Sequence, residues 1–415
     1  MRGDDPLTAV RRIAASATII LLDAGAQGES YLAWGEHLQI VPWDPGQELG
    51  AWLDGLVARQ PSSDSGNATQ AGWCDFRGGV FVQLDYEAPA TPPRAWRALG
   101  WVSWVTGRDL TFHGTPQRCR QMRQELEAPA AACPAAVLGS EPQPAVSAGQ
   151  YQVLVERIQA LITAGTLYQA NLTTAFSARH GGAADGDLGA FLALAALSPA
   201  PFAAFIRAPG RPTVISHSPE CFLRGRGETV RSVPIKGTRR RVPGTEPAVR
   251  AELVASRKDV AELTMIIDLV RNDLGRIAVA GSVQVAQTTA VMDLGYAHHL
   301  YGEVVARLPQ GLGYGATVAA AFPAGSITGA PKLQAMAQLR HLEAQPRGAY
   351  CGSFGWIGAH GCDLAVAIRT MTWDETAIHV HAGGGIVADS QAAAEWDEVQ
   401  VKAGTMLRAL AGSHA

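Results

Sequence analysis

One lysine stands alone in "SVPIKGTRRR" (232–241), between an apolar Val-Pro-Ile run and a Gly-Thr turn. Just upstream, "SHSPECFL" (216–223) carries a single acid, Glu220. A hairpin turning near Gly227–Glu228 allows two adjacent registers. One sets Glu220 opposite Ile235; the other sets it opposite Lys236, with the Cβ atoms about 5 Å apart. Two readings stay open. The pair is a cross-strand ion pair, or it is a carboxyl acid beside an amine nucleophile. Such an amine must lose its proton to attack, which needs burial or a tuned partner.

Two acidic pairs recur at a spacing of three residues, Asp259/Glu262 and Glu395/Glu398. Each lies on one face of a predicted helix. They are solvated helix surface, or they converge as all-oxygen ligands that suit Mg²⁺. "HAGGGIVADS" (381–390) follows a predicted strand and fits G-x-G-x-x-A at Gly383, Gly385 and Ala388. Too little chain follows for the βαβ unit of a dinucleotide fold. A loop at Gly383, Gly384 and Gly385 would instead offer backbone N–H groups to a carboxylate. "FPAGSITGAPK" (322–332) lacks P-loop spacing but could hold a carboxylate through Ser326, Thr328 and main-chain amides. Arg369, ending the predicted strand "LAVAIR", is a fork for a carboxylate. His299 follows "MDLGYAHH". No Cys-His glutaminase elbow is visible, and Cys351 reads as structural on a strand edge.

The elements that must position these groups follow from the pattern. "ATIILLDAG" (17–25) and "GGVFVQLDYE" (78–87) are glycine-bounded strands. Residues 60–72 read as a loop, and the Ala/Pro-rich stretch 127–148 as a linker. Tyr151, Leu154, Val155, Ile158, Leu161 and Ile162 predict a helix stopped by Gly165. Residues 201–238 predict three strands, "PFAAFIRA", "TVISHSPECFL" and "TVRSVPIKGT". A helix follows over 256–275, then the strands "CGSFGWIG", "LAVAIRTMTW" and "AIHVHAGGGIVA", and a last helix from near Ser390.

The 415 residues allow two domains or one large core. With 47% hydrophobic and 17% charged residues and a formal net charge of −3, the chain predicts a compact protein with no field for nucleic acid or anionic membrane. Six scattered cysteines without metal spacing, and no apolar leader or spanning segment, predict a reduced, cytoplasmic setting.

Taken together, the segments resemble the chorismate-utilising enzymes, and within them the aminodeoxychorismate synthase component I branch. The resemblance is continuous from Tyr151 to about Leu410 and weaker over 15–125. It rests on "GTLYQANLT", "SHSPECFL", "PIKGT", "DVAELTMIIDLVRNDLGR", "HHLYGEV", "FPAGSITGAPKLQAM", "YCGSFGWIG", "AIRTM" and "AGGGIVADSQAAAEWDE". Isochorismate-forming members carry a water-activating lysine where this chain has Gln169. Anthranilate synthases read PIAGT where this chain reads PIKGT.

The resemblance implies an α+β fold of two large, mostly antiparallel sheets in a sandwich flanked by helices. Residues 1–147 would form an anthranilate synthase component I-like region and 148–415 the chorismate-binding catalytic region. It implies Mg²⁺ held by Glu262 and Glu398 with Glu395 in or near the shell. Glu220 would be the general acid, Lys236 the nucleophile at C2, and His299 a neighbour of the reacting hydroxyl. Gln169, Thr238, Ser326, Thr328, Tyr350, Arg369, Gly383, Gly384, Gly385 and Lys402 would bind substrate. The implied product is 4-amino-4-deoxychorismate, a precursor of 4-aminobenzoate and folate. Ammonia would come from a separate glutamine amidotransferase component II. The rival readings are anthranilate synthase component I and a non-catalytic chorismate-binding homologue. No phosphate cup supports a pyridoxal-phosphate enzyme.

Overall fold

The computed structural model describes residues 6–410 except 25–28, 44, 59–78, 89, 106–109, 131–135, 137, 183–184, 243 and 295–296. The loop predicted over 60–72 lies outside the described residues. Two large sheets dominate, and their strand pairings are antiparallel throughout. The first sheet has 11 strands. Its order runs Gly329–Ala330, Gln169–Arg179, Ala377–Ile386, Thr370–Trp373, Thr213–Ser218, then Phe202–Arg207, Ile19–Asp23, Glu29–Trp34, Gly100–Val105 and Thr111–Gly114. Gln143–Pro144 pairs beside Gln169–Arg179. The second sheet has 10 strands. Its order runs Ile235–Arg240, Ala297–Arg307, Thr229–Val233, Cys221–Arg226, Gly361–Val366, then Ser353–Ile357, Val80–Leu84, Arg94–Ala98 and Leu38–Val41. Gln284–Asp293 pairs with Ala297–Arg307.

Helices cover the outer faces, so the fold is the expected α+β sandwich. Tyr151, Val155 and Ile158 of Ala148–Thr163, and Val399, Ala403 and Met406 of Ala392–Leu410, pack on the first sheet. Leu263, Ile266 and Val270 of Arg257–Gly275 pack on the second. A third core lies between the sheets, where Ile20, Leu22 and Ala204 meet Phe81, Trp96 and Trp356. Strands covered on both sides need apolar residues on both faces. That is why "IILL" and "VFVQL" read as continuous runs.

Local signals set the helix ends. Ser147 and Gln150 form a reciprocal capping box at the start of Ala148–Thr163. Gly165, at φ +73, takes the left-handed turn after it. Ser256 accepts from Asp259 N at the start of Arg257–Gly275. The final helix begins at Ala392. The stretch read as a linker is partly laid on the first sheet through Gln143–Pro144 and a Leu138–His180 bridge. Residues 6–144 supply strands to both sheets.

Three predicted strands are broken. "TVISHSPECFL" is Thr213–Ser218 in the first sheet and Cys221–Arg226 in the second. "LAVAIRTMTW" is Gly361–Val366 in the second sheet and Thr370–Trp373 in the first. Arg369, at φ +48, lies between those two and does not close a strand. "TVRSVPIKGT" breaks at Pro234, which has no N–H for the ladder. The two changes of sheet lie side by side: His217 N donates to Arg369 O at 3.0 Å, and Val366 N to Glu220 O at 3.1 Å.

Candidate active site

Glu220 sits where the chain passes from one sheet to the other. Its N–H donates to Ser218 Oγ at 3.2 Å, and that hydroxyl donates to Val366 O at 2.5 Å. The first of the two hairpin registers forms at Arg224–Arg226, opposite Arg231–Thr229, but does not reach Glu220. A bulge between Cys221 and Arg224 sets Cys221 opposite Val233, and Lys236 pairs with Leu300 on the next strand. The two groups meet instead across the 325–328 loop. Lys236 Nζ donates to Ser326 O at 3.3 Å. The Ser326 hydroxyl, buried without a geometric hydrogen bond among the described residues, and the Lys236 charge both favour the ionised form of Glu220. Burial of Glu220, 3% exposed, pushes its pKa up to about 7 against the pull of Ser326 and Lys236. A carboxyl half-protonated near neutrality can donate a proton to a leaving oxygen. Gly237 follows Lys236 at φ +61, and a Cβ there would come within 2.9 Å of Asp259 and Leu253. The glycine of "PIKGT" therefore lets this strand lie on the helix that carries Glu262.

His299 lies opposite Thr238, with Nδ1 3.0 Å from Thr238 Oγ1 and 3.3 Å from Gly237 O. A carbonyl only accepts, so this contact assigns the proton to Nδ1. Nε2 is left as a buried acceptor without a protein partner among the described residues. Burial pulls the imidazole down to about 4, so the ring is neutral at pH 7.

The three glycines are not a loop. Gly383, Gly384 and Gly385 lie in the strand Ala377–Ile386, opposite Thr173, Leu172 and Asn171. Strand pairing on their other edge stops at Met371–Val380. Their missing side chains make room: a Cβ on Gly384 would lie 3.1 Å from Glu395 Oε2 and 3.9 Å from Glu398 Oε1. One on Gly385 would lie 2.4 Å from Gln169 Nε2. Gln169 is 1% exposed, and its Oε1 has no protein partner among the described residues.

The acidic pairs do converge. Burial raises the pKa of Glu262, the Glu398 charge adds to that, and Lys236 and Lys258 oppose it. Glu395, 3% exposed, accepts from Ser390 Oγ at 2.8 Å and has Lys258 Nζ at 3.7 Å. Glu398 has Lys402 Nζ at 2.6 Å, which holds its carboxyl below the usual range against desolvation. Lys402 also donates to Gly383 O at 2.9 Å. Asp259 is taken by Arg239 at 3.1 Å. Among the described residues no group of three or more His, Cys, Asp and Glu side chains is placed to hold a metal ion by itself. The donor set of Glu262, Glu395 and Glu398 is all oxygen from two helices. That chemistry fits Mg²⁺, which takes one or two carboxylates and fills the rest with water or substrate.

The remaining candidates divide. Arg369 lies at the change of sheet, and burial pulls it down to about 10. Thr328 spends its proton on its own loop, at Gly325 O (3.1 Å) and Ala324 O (3.2 Å). Tyr350 is buried and stacks on His381 with ring centroids 5.5 Å apart. The sequence reading missed Lys258, four residues before Glu262 on the same helix, where the i,i+4 spacing was visible. It also missed Lys332, whose Nζ donates to Asp273 at 2.5 Å and to Ala321 O and Pro323 O, both at 2.8 Å. That lysine anchors the loop and binds no anion from it.

Residues 18–408 match the family described as chorismate binding enzyme. Over 276 residues the chain is 41% identical to aminodeoxychorismate synthase component 1 of Escherichia coli (strain K12), covering 66% of this chain and 60% of that protein. It is 39% identical over 269 residues to anthranilate synthase component 1 of Streptomyces coelicolor, covering 64% and 52%. The matched stretch thus spans less than two thirds of these relatives' length. Among solved structures, anthranilate synthase component I from Streptococcus pneumoniae TIGR4 superposes with a TM-score of 0.76 at 25% identity, over 94% of this chain and 90% of that one. MenF, the menaquinone-specific isochorismate synthase of Escherichia coli, reaches 0.80 at 16% identity over 99% and 92%, a likeness of fold alone.

Proposed function

The chain belongs to the chorismate-binding enzymes, and from that premise we propose that it is the aminating component of aminodeoxychorismate formation. The observation that carries this reading is Lys236. The reading makes "PIKGT" the mark of a lysine nucleophile, and here the amine reaches Ser326 O beside a Glu220 raised to about 7.

In the proposed reaction the Lys236 amine attacks C2 of chorismate. The ring double bonds shift, the C4–O bond breaks, and Glu220 gives its proton to the departing hydroxyl, which leaves as water. Ammonia then bonds to C4, the double bonds shift back, and the C2–N bond to Lys236 breaks. The enolpyruvyl ether is retained. His299 Nε2 would accept from the reacting hydroxyl and orient it. Arg369 and the open edge of Gly383–Gly385 would hold the enolpyruvyl carboxylate, with Gln169 beside them. Glu262 and Glu398, with Glu395, would hold Mg²⁺, which when bound neutralises the ring carboxylate. Ammonia would come from a separate glutamine amidotransferase subunit.

The test is the product. The chain with chorismate, Mg²⁺ and an ammonium salt is expected to give aminodeoxychorismate and no pyruvate. Adding a separate lyase should then yield 4-aminobenzoate. Fluorescent anthranilate with stoichiometric pyruvate would establish the rival reading, and isochorismate as main product would refute both. Glutamine alone is expected to be inert.

A further inference from the structure

Glu343 and Arg347 form an ion pair four residues apart in the chain and almost out of reach of water, with side chains 7% and 1% exposed. A buried charge persists only when its donors are used. Arg347 uses them on three separate segments. Nε donates to Glu343 Oε2 at 2.8 Å, and Nη2 to Glu343 Oε1 at 2.7 Å. Nη2 also donates to Asn171 O at 2.6 Å, and Nη1 to Ile327 O at 2.7 Å. Glu343 Oε1 in turn accepts from Thr173 N and Oγ1, both at 3.0 Å.

The backbone of Arg347 is fixed from a distant part of the chain. Glu87 accepts from Arg347 N at 2.8 Å and from Gly348 N at 3.1 Å. Tyr86 N donates to Gly348 O at 2.8 Å, and the guanidinium lies 4.3 Å from the Tyr86 ring centroid.

These contacts join two strips of the candidate site. Asn171 is two residues beyond Gln169 on the same strand. Ile327 follows Ser326, whose carbonyl accepts Lys236. Pairing of Gly329–Ala330 with Gln169–Ala170 secures the far end of the loop, and Asn171 N donates to Thr328 O at 2.9 Å. Arg347 secures the end that carries Ser326. A planar fork with fixed donor directions does this; an ammonium would not.

We propose that Arg347 is a positioning residue that sets the spacing between the Gln169 strand and the Ser326–Thr328 loop. Through Glu87, the segment before residue 148 becomes a working part of the site. This rests on the reading of Lys236 as the reacting amine. The clamp hydrogen-bonds to none of Glu262, Glu395 and Glu398, so it governs the alignment of the amine and not the metal.

The test compares chorismate consumption per folded enzyme across four variants. Arg347→Met alone strands the Glu343 charge and threatens folding, so Arg347→Met/Glu343→Gln, which removes both charges, is the main probe. Its kcat is expected to fall by about 10- to 100-fold, the scale of a misplacement near 1 Å. Its half-saturating Mg²⁺ concentration should stay that of the wild type. Arg347→Lys, which keeps the charge but not the fork, should leave kcat about as low as the double variant does. Glu87→Gln should cost a few-fold in kcat, again with the Mg²⁺ response unchanged, and it decides the matter if the double variant does not fold. A folded double variant with wild-type kcat would overturn the proposal. So would parallel loss of kcat and Mg²⁺ response, which is general loosening, or a Glu87→Gln enzyme with unaltered kcat. The comparison uses total chorismate consumed, so a wild type that makes anthranilate refutes the function proposed above and leaves the clamp to be judged on its own ratios. Wild-type turnover insensitive to Lys236→Arg would remove the premise itself.

Discussion

At one end of the site Glu220 and Lys236 meet across Ser326, at the point where the chain passes between sheets. At the other end Glu262, Glu395 and Glu398 project from two helices among Lys258 and Lys402, and the Lys236 charge reaches Glu262 and Glu398 from the first end. The first end is finished by the fold. Its carboxyl is buried, its backbone bonds are made, and its pKa already stands at about 7. The second holds more carboxylates than any single partner neutralises, with the side chains of Lys258 and Lys402 about half exposed. Such an arrangement is ready to be completed by something that brings positive charge. On the proposed reading, chemistry that must be aligned before substrate arrives would be built into the sheets, and a cation that exchanges with solvent would be left to the helices.

The hardest blow to this contrast falls on Lys236. Lys236→Arg keeps the charge near Glu220 and removes the proposed nucleophile. Ammonia-dependent turnover is expected to fall by a thousandfold or more, on the scale (about 10³–10⁶) of removing a reacting group. Equilibrium dialysis should still find chorismate and Mg²⁺ bound. Near-wild-type turnover would show that the finished end does no covalent work.

Glu220→Gln should separate activity from stability. Loss of a general acid costs about 10²–10⁴ in rate. Measured at constant free ammonia, wild-type kcat/KM should decline above a pH near 7, and this limb should vanish in the variant. Stability falls over the same pH range. The folded pKa is raised above its ordinary 4.5, so the group's stabilising contribution is full below 4.5 and is lost as pH rises through about 7. The wild type should therefore lose up to about 3 kcal/mol relative to Glu220→Gln between pH 4 and pH 8. Denaturant melts at both pH values check it. A constant gap would mean that burial does not tune this carboxyl.

Glu262→Gln and Glu398→Gln probe the unfinished end. Each should raise the half-saturating Mg²⁺ concentration tenfold or more, about 1.4 kcal/mol per decade, while a saturated variant keeps much of its kcat. An unchanged titration in both would remove the metal assignment and with it the contrast.

The two ends were also unequally legible. Residue chemistry exposed Glu220 and Lys236, because a lone acid and a lone amine in apolar strands are conspicuous. How they meet was hidden. The bulge after Cys221, the break at Pro234 and the two changes of sheet leave no trace in alternation of apolar and polar residues. The sandwich was legible only through the family resemblance; two-sided coverage of the strands showed in the pattern merely as continuous apolar runs. The three glycines misled, since a glycine run reads as loop, whereas here it clears room for Gln169 and two carboxylates within a strand. The acidic pairs could be placed on helix faces, but their convergence over more than 130 residues of chain is tertiary information. Arg347 escaped notice because an arginine in "AQPRGAY" reads as exposed, and its burial is decided by partners from Glu87 to Glu343.

The smallest expected effect sharpens the contrast most finely. Lys258 lies 3.7 Å from Glu395, half exposed, and its own pKa is raised against desolvation by Glu395, then by Glu262 and Glu398. An ammonium there supplies some of the charge a bound cation would bring, and it repels that cation. An exposed pair of this kind is worth about 0.2–1 kcal/mol. Lys258→Met should therefore tighten Mg²⁺ binding by no more than about fivefold, with thermal stability moved by at most about 1 kcal/mol. Titration calorimetry with Mg²⁺ alone reads the affinity without recourse to turnover. Tighter binding would identify Lys258 as the counter-ion that a cation relieves. Weaker binding would mean that Lys258 organises Glu395 for the metal, and then the acidic end, like the other, is finished by the fold.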